Sequence, residues 1–282
     1  MNNIKIFTDS TSDLTPEIIK KYDISIIPLY VIFNEDSYKD GINIDAKKLY
    51  KKVDKYGILP RTSAPSPSDF YNSFKPFIDK GKDIIYIGLS SKLSSTIQNA
   101  KLAASEFPDG RIKIIDSLNL STGIGLLVLK AIDYSKEGLS IDEISNKLYK
   151  LIPRVRTSFV IDTLDYLYKG GRCNAIQSFI GGVFKIKPIV KVVNGEILLG
   201  QKSRGKKKKA LNTMVENMVK NKDKIDKERV VIGHSEGLKD CLYLKKQILR
   251  KMDFNEIIMI KAGCVISSHC GENTVGLYYL EK

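Results

Sequence analysis

Three stretches of the chain concentrate hydroxyl side chains where they could do chemistry: residues 8–17 (TDSTSDLTPE), residues 61–70 (RTSAPSPSDF) and residues 89–100 (LSSKLSSTIQNA). The last follows the apolar run DIIYIG and places five hydroxyls within residues 90–96. A serine so placed can cap a helix, attack an acyl group when a base activates it, or hydrogen-bond an anion. Each stretch falls between a strand pattern and a helix pattern, where backbone N–H groups and the helix dipole favour negative charge. The three can therefore converge on one pocket. Two prolines in TSAPSP stiffen the backbone that carries Thr62 and Ser63.

A nucleophilic serine needs a base, normally a histidine oriented by a carboxylate. The chain has only two, His234 in GHSEG and His269 in SSHCGENT, the second expected in a small-residue loop after the apolar strand CVIS. The one GxSxG match, Gly233 to Gly237, lies outside the serine-rich stretch, where Gly88-Leu89-Ser90 comes nearest and lacks the second glycine. A serine acyl hydrolase built from one serine of residues 90–95 and His269 is the enzyme alternative, weakened because that stretch carries no such elbow. GxxxxGK[ST] is absent, and STGIG offers Gly-x-Gly without a third glycine, so neither a nucleotide hydrolase nor a dinucleotide enzyme is indicated. The four cysteines, Cys173, Cys241, Cys264 and Cys270, form no CxxC pair, which argues against zinc and against a disulfide framework. They are expected to be small buried thiols, and no metal or cofactor is expected.

Short apolar runs alternate with amphipathic segments: IKIF, TPEIIKKY, ISIIPLYVIF, DAKKLYKKVDKY, DFYNSFKPFIDK, DIIYIGL. That alternation predicts an α/β fold with a largely parallel sheet. Two strand ends, IKIFTDS and IKIIDS, finish on Asp-Ser, where open α/β sheets deliver ligand-contacting loops and where both residues also cap helices well. After Pro153 the texture changes; VVNGEILL reads as a hairpin turning on Asn194-Gly195, and strand-helix-strand patterns return towards the end. The expectation is two α/β domains, residues 1–153 with an open, mostly parallel sheet and residues 154–282 with a mixed sheet and helices, leaving a ligand tunnel between them. In SFIGGVFKIKPIV, Phe179, Ile180, Val183, Phe184 and Ile186 can fill a core or line a long slot. Hydroxyl loops facing an apolar slot suit a carboxylate with a hydrocarbon tail.

At 282 residues and 43% hydrophobic the chain supports well-formed cores. No segment approaches the ~20 continuous apolar residues of a spanning helix, and MNNIKIFTDS runs directly into a strand pattern, so a cytoplasmic protein is expected. A net charge of +14 suits nucleic acid, an anionic membrane or an acidic partner, but the lysines are dispersed over presumptive helix faces, and nucleic acid is not the expected partner. The dense run RGKKKKA precedes a helical pattern.

Taken together, TDSTSDL, TSAPSP, LSSKLSSTIQNA, DSLNLSTGIGLLV, LDYLYKGGR, KIKPIV, KSRGKKKKA and HCGENTVGL resemble, in this order, the motifs of the DegV family of bacterial fatty-acid-binding proteins. The resemblance implies a two-domain α/β carrier that binds one long-chain fatty acid and presents its carboxylate to a separate, ATP-dependent fatty acid kinase. The resulting acyl phosphate would feed phospholipid synthesis, with transient membrane contact for lipid exchange. Position by position it implies carboxylate binding by Thr62, Ser94 and His269, with Ser63 and Ser95 as neighbours, and kinase docking by Arg172 and Arg204. Two places depart from the family pattern: Cys173 follows Arg172 where isoleucine is common, and Cys270-Gly271-Glu272-Asn273 follows His269 in place of a Gly-Pro-Gly-like run. Burying ~14 methylenes at ~0.8 kcal/mol each gives ~11 kcal/mol before the costs of association. Hydroxyl donors and one histidine then suffice for the head group, without the stronger grip of a bidentate arginine.

Overall fold

The structure of the protein, a computed structural model, describes residues 3–173 and 186–282. Its strands are β1 (Ile4–Asp9), β2 (Ser25–Ile27), β3 (Tyr30–Phe33), β4 (Asp36–Lys39), β5 (Arg61–Ser63), β6 (Asp83–Gly88), β7 (Ile112–Asp116), β8 (Val155–Val160), β9 (Ile186–Val193), β10 (Glu196–Arg204), β11 (Ile225–Ser235), β12 (Glu256–Lys261) and β13 (Thr274–Glu281). The helices are α1 (Pro16–Lys21), α2 (Ala46–Tyr56), α3 (Pro67–Ile78), α4 (Thr96–Ala104), α5 (Thr122–Lys136), α6 (Ile141–Leu151), α7 (Asp165–Lys169), α8 (Lys207–Val219), α9 (Leu238–Leu249) and α10 (Cys264–Cys270).

Strands β2-β1-β6-β7 form a parallel sheet, as the alternation of apolar runs and amphipathic helices requires. The run ISIIPLYVIF is not one strand. Pro28, which cannot donate to a ladder, separates β2, at the edge of the parallel sheet, from β3, which pairs antiparallel with β4 and β5 in a small second sheet. A six-stranded mixed sheet, β10-β9-β8-β13-β11-β12, is built wholly from residues after 154. The Asn194-Gly195 turn joins β9 and β10 with both residues at positive φ, 50° and 86°, as the tight hairpin of this dipeptide demands.

Helix α5 explains the apolar run IGLLVLKAI. It lies between the sheets, against β1 and β6 on one side and β8, β11 and β13 on the other, so it is apolar nearly all round and buried from Thr122 to Leu129. The two lobes share one continuous core through it, from Ile6 and Ile87 to Phe159 and Leu280. All four cysteines are buried, and none forms a disulfide. Among the described residues, no helix is long and apolar enough to cross a membrane, and no group of three or more His, Cys, Asp or Glu could hold a metal ion.

Candidate functional site

Four distant segments bring their side chains to one cavity of about 240 Å³, lined by Thr62, Ser63, Ser94, Ser95, Arg172 and His269, with aliphatic side chains forming the rest of its wall. Thr62 and Ser63 belong to a strand rather than a loop: in β5, Thr62 is in register with Val31 of β3, which fixes its height above the sheet. Ser94 stands just before α4. His269 occupies the last turn of α10, a helix where the sequence reads as strand and loop.

Helix α10 is held from the other lobe. The backbone N–H of Gly263 donates to Asp13 Oδ1 at 2.8 Å, and those of Cys264 and Val265 donate to the two Asp40 carboxylate oxygens at 2.7 and 3.2 Å. Three of the four N–H groups that any helix start leaves unpaired are thus satisfied by carboxylates more than 220 residues earlier in the chain. Burial pushes Asp13 up to about 8, aided by the charges of Asp40 and Asp9, while Ser121 Oγ–H and the Gly263 N–H pull it back. Deeper in the helix, Tyr50 Oη lies 2.6 Å from Ser235 Oγ, which in turn lies 2.8 Å from Ser267 Oγ.

Asp9, at the Asp-Ser end of β1, anchors the serine-rich loop. Its carboxylate accepts from Tyr86 Oη at 2.7 Å and from the Leu89 N–H at 2.9 Å, the residue that opens LSSKLSSTIQNA. Within that loop the hydroxyls divide their work. Ser90 Oγ donates to the Gly195 carbonyl of the β9–β10 turn at 2.8 Å, tying the loop to the second lobe. The Ser91 N–H donates to Asp116. Ser95 sits at the start of α4 with its side chain making no capping bond, and Ser63 Oγ turns to its neighbour's carbonyl, Ala64 O, at 3.3 Å. Ser94 and Thr62 line the cavity with Ser63 and Ser95, and each pairs with one further side chain, Ser94 with Thr96 and Thr62 with His269.

His269 Nε2 lies 2.9 Å from Thr62 Oγ1, and His269 Nδ1 is sealed with no hydrogen-bond partner among the described residues. Burial, with the nearby Arg172 charge adding, holds the imidazole down to about 4, so it is neutral at neutral pH. A neutral ring has one proton, and an orphaned N–H is less tolerable than an orphaned lone pair. That accounting puts the proton on Nε2, donating to Thr62, whose own hydroxyl proton is then free for an acceptor in the cavity. Gly170 packs against the sealed face: a β-carbon there would overlap His269 Nδ1. Among the described residues no carboxylate hydrogen-bonds the ring, and its Nε2 meets a threonine rather than a serine.

Arg172 is the residue whose place the sequence did not reveal. It lines the cavity mouth next to Ser94, with Nη1 donating to the Gly170 carbonyl at 2.7 Å. Arg204 lies on β10 seven residues beyond cavity-lining Ile197, about 20 Å along the strand at ~3.3 Å per residue, and is exposed. The two arginines therefore do not form one patch. Of the expected tunnel wall, Phe179, Ile180, Val183 and Phe184 lie outside the described residues, and Ile186 opens β9. In the described residues the apolar continuation runs behind His269, into a void of about 40 Å³ lined by Phe159, Leu167 and Tyr278, which shares Leu120, Ile197, Ile266 and His269 with the outer cavity. A larger cleft of about 790 Å³, between Tyr149, Arg156, Lys191 and Asn217, contains none of the hydroxyl loops' cavity residues.

A two-lobed α/β chain with a neutral hydrogen-bonding cluster at the head of an apolar cavity has the build of a binding protein for an amphipathic ligand. The chain belongs to the DegV family: a family model described as "Uncharacterised protein, DegV family" matches residues 3–282. It is 37% identical to a DegV domain-containing protein of Clostridium acetobutylicum over the whole of both chains, and 32% identical to a fatty acid-binding protein of Thermotoga maritima, covering 97% of this chain and 96% of that one. A solved DegV family protein of Thermus thermophilus, described for its fatty acid binding, superposes with a TM-score of 0.92 at 31% identity, covering 99% of each chain.

Proposed function

We propose that this protein binds a long-chain fatty acid, with Thr62, Ser94 and His269 holding the carboxylate and Ser63 and Ser95 at the rim. The observation that carries the reading is the meeting of β5, the serine-rich loop and α10 around one cavity, where the Thr62–His269 contact of 2.9 Å leaves hydroxyl protons facing an otherwise apolar wall. Neutral donors satisfy a carboxylate without neutralising it, and the exposed Arg172 at the mouth adds an attractive charge. The apolar tail supplies most of the affinity.

The carrier role follows from the same site. A carboxylate held by hydroxyls at a solvent-facing mouth is accessible to a phosphoryl donor, and the sequence has no GxxxxGK[ST] loop of its own. An ATP-dependent partner kinase would therefore act on the bound acid, with Arg172 in its footprint and Arg204 further out. The acyl phosphate would leave towards phospholipid synthesis by transient membrane contact from the cytoplasm.

Titration calorimetry with palmitate tests the binding reading. Saturable binding of one palmitate per chain, weakened at least ten-fold in Ser94→Ala and in His269→Ala with the native circular dichroism preserved, is expected. Palmitate binding that neither substitution weakens would refute the site.

A further inference from the structure

We propose that Thr96 is a positioning residue that fixes the direction of the Ser94 hydroxyl, so that Ser94 meets the ligand as a donor only and favours a carboxylate over a head group bearing its own hydroxyl proton. The inference rests on the fatty-acid reading above and deepens it.

The protons around Ser94 can be counted. Ser94 Oγ lies 2.7 Å from Thr96 Oγ1 and accepts from the Thr96 N–H at 3.3 Å. Either hydroxyl could donate to the other. Thr96 is fully buried at the start of α4, and among the described residues its Oγ1 has no hydrogen-bond partner except Ser94. If Ser94 donated to Thr96, the Thr96 proton would be stranded in a dry site, a penalty that shifts the equilibrium by on the order of ten-fold or more. With Thr96 donating, both acceptor positions of Ser94 are filled by one residue, and the single Ser94 proton is left to point into the cavity, which Ser94 lines. Thr62 accepts from His269 Nε2–H, which fills one of its two acceptor positions and leaves its own proton free. Ser94, with both acceptor positions occupied and its proton facing the cavity, matches a carboxylate, which only accepts. It matches an alcohol poorly, because it offers the alcohol's proton no acceptor.

The test compares palmitate and hexadecanol binding by titration calorimetry in the wild type, Thr96→Val and Thr96→Ser. Valine keeps the shape and the N–H of threonine but removes the donated proton; serine keeps the proton. Thr96→Val is expected to weaken palmitate about five- to ten-fold while leaving hexadecanol within two-fold, and Thr96→Ser to restore the wild-type preference. In a Ser94→Ala background Thr96→Val should have no further effect. Should the valine variant not fold, Thr96→Cys, with its weak donor, carries the same expectation. Equal weakening of both ligands, or an undiminished effect on the Ser94→Ala background, would overturn the inference. Absence of palmitate binding by the wild type would overturn the fatty-acid reading itself, whereas wild-type preference for palmitate with an indifferent Thr96→Val would remove only the role of Thr96.

Discussion

Replacing Gly170 by alanine should disable the head-group site without touching any residue proposed to contact the ligand. Gly170 has φ −70° and ψ −16°, a backbone that any residue adopts, so the substitution carries no conformational penalty. The added methyl would overlap His269 Nδ1 and sit 2.8 Å from the Tyr166 carbonyl oxygen. Helix α10 cannot withdraw, because Asp13 and Asp40 hold its first turn and Tyr50 engages Ser235 and Ser267 beside it. The ring must therefore turn into the cavity, giving up its bond to Thr62. Overpacking costs about 1–3 kcal/mol and the lost hydrogen bond about 1 kcal/mol, so unfolding stability should fall by roughly 2–4 kcal/mol. Palmitate affinity should drop about five- to thirty-fold as one oriented donor is lost and the ring intrudes. The control is next door. Gly171 has φ +66° and open space around its α-carbon, so Gly171→Ala strains the backbone by about 1–2 kcal/mol with no methyl near the imidazole. Urea denaturation and calorimetric titration of both variants separate the effects: both lose stability, and only Gly170→Ala loses affinity. Wild-type binding by Gly170→Ala, or equal weakening in Gly171→Ala, would show that the ring is not held as described.

Other outcomes follow from the buried polar groups. Asp40→Asn has one carbonyl oxygen where the carboxylate has two for the Cys264 and Val265 N–H groups, and should lower unfolding stability by about 1–3 kcal/mol, read by urea denaturation. His269 is held down to about 4 against an ordinary 6.5, so between those values the unfolded chain takes up a proton that the folded one refuses. At ~1.4 kcal/mol per pH unit the wild type should lose up to about 3 kcal/mol relative to His269→Gln as pH falls from 6.5 to 4; a pH-independent difference would contradict the sealed imidazole. Asp13 slopes the opposite way: raised to about 8, it favours folding at low pH and loses that contribution as pH rises from 3.8 towards 8, so Asp13→Asn should flatten the wild-type decline measured on that side. Ser90→Ala removes the bond to the Gly195 carbonyl, and faster amide exchange at the β9–β10 turn is expected.

Much of the framework was legible because it depends on local pattern. Apolar runs alternating with amphipathic segments require a parallel sheet, and Asn194-Gly195 requires a tight hairpin. The convergence of Thr62, Ser94 and His269 was legible only through the family motifs, since nothing local to any one of them says which others it will meet. What the sequence hid was long-range. CVISSHC is too short for its periodicity to separate strand from helix, and its helix is held by Asp13 and Asp40, whose positions suggest caps for their own neighbours. Pro28 was visible, but not that the strands on its two sides would enter different sheets. Arg172 read as a surface contact because its place at the mouth depends on the Gly170 carbonyl that holds its guanidinium.

The cavity beneath Thr62, Ser94 and His269 is proposed to hold a fatty acid. Native mass spectrometry of the purified protein, followed by denaturation and identification of whatever is released, tests it most directly. The expected result is one long-chain fatty acid per chain, lost or strongly reduced in a Thr62→Val, Ser94→Ala double variant that keeps its wild-type circular dichroism. A protein that carries no lipid and takes up none from a palmitate solution, or whose released ligand has no carboxylate, would contradict it.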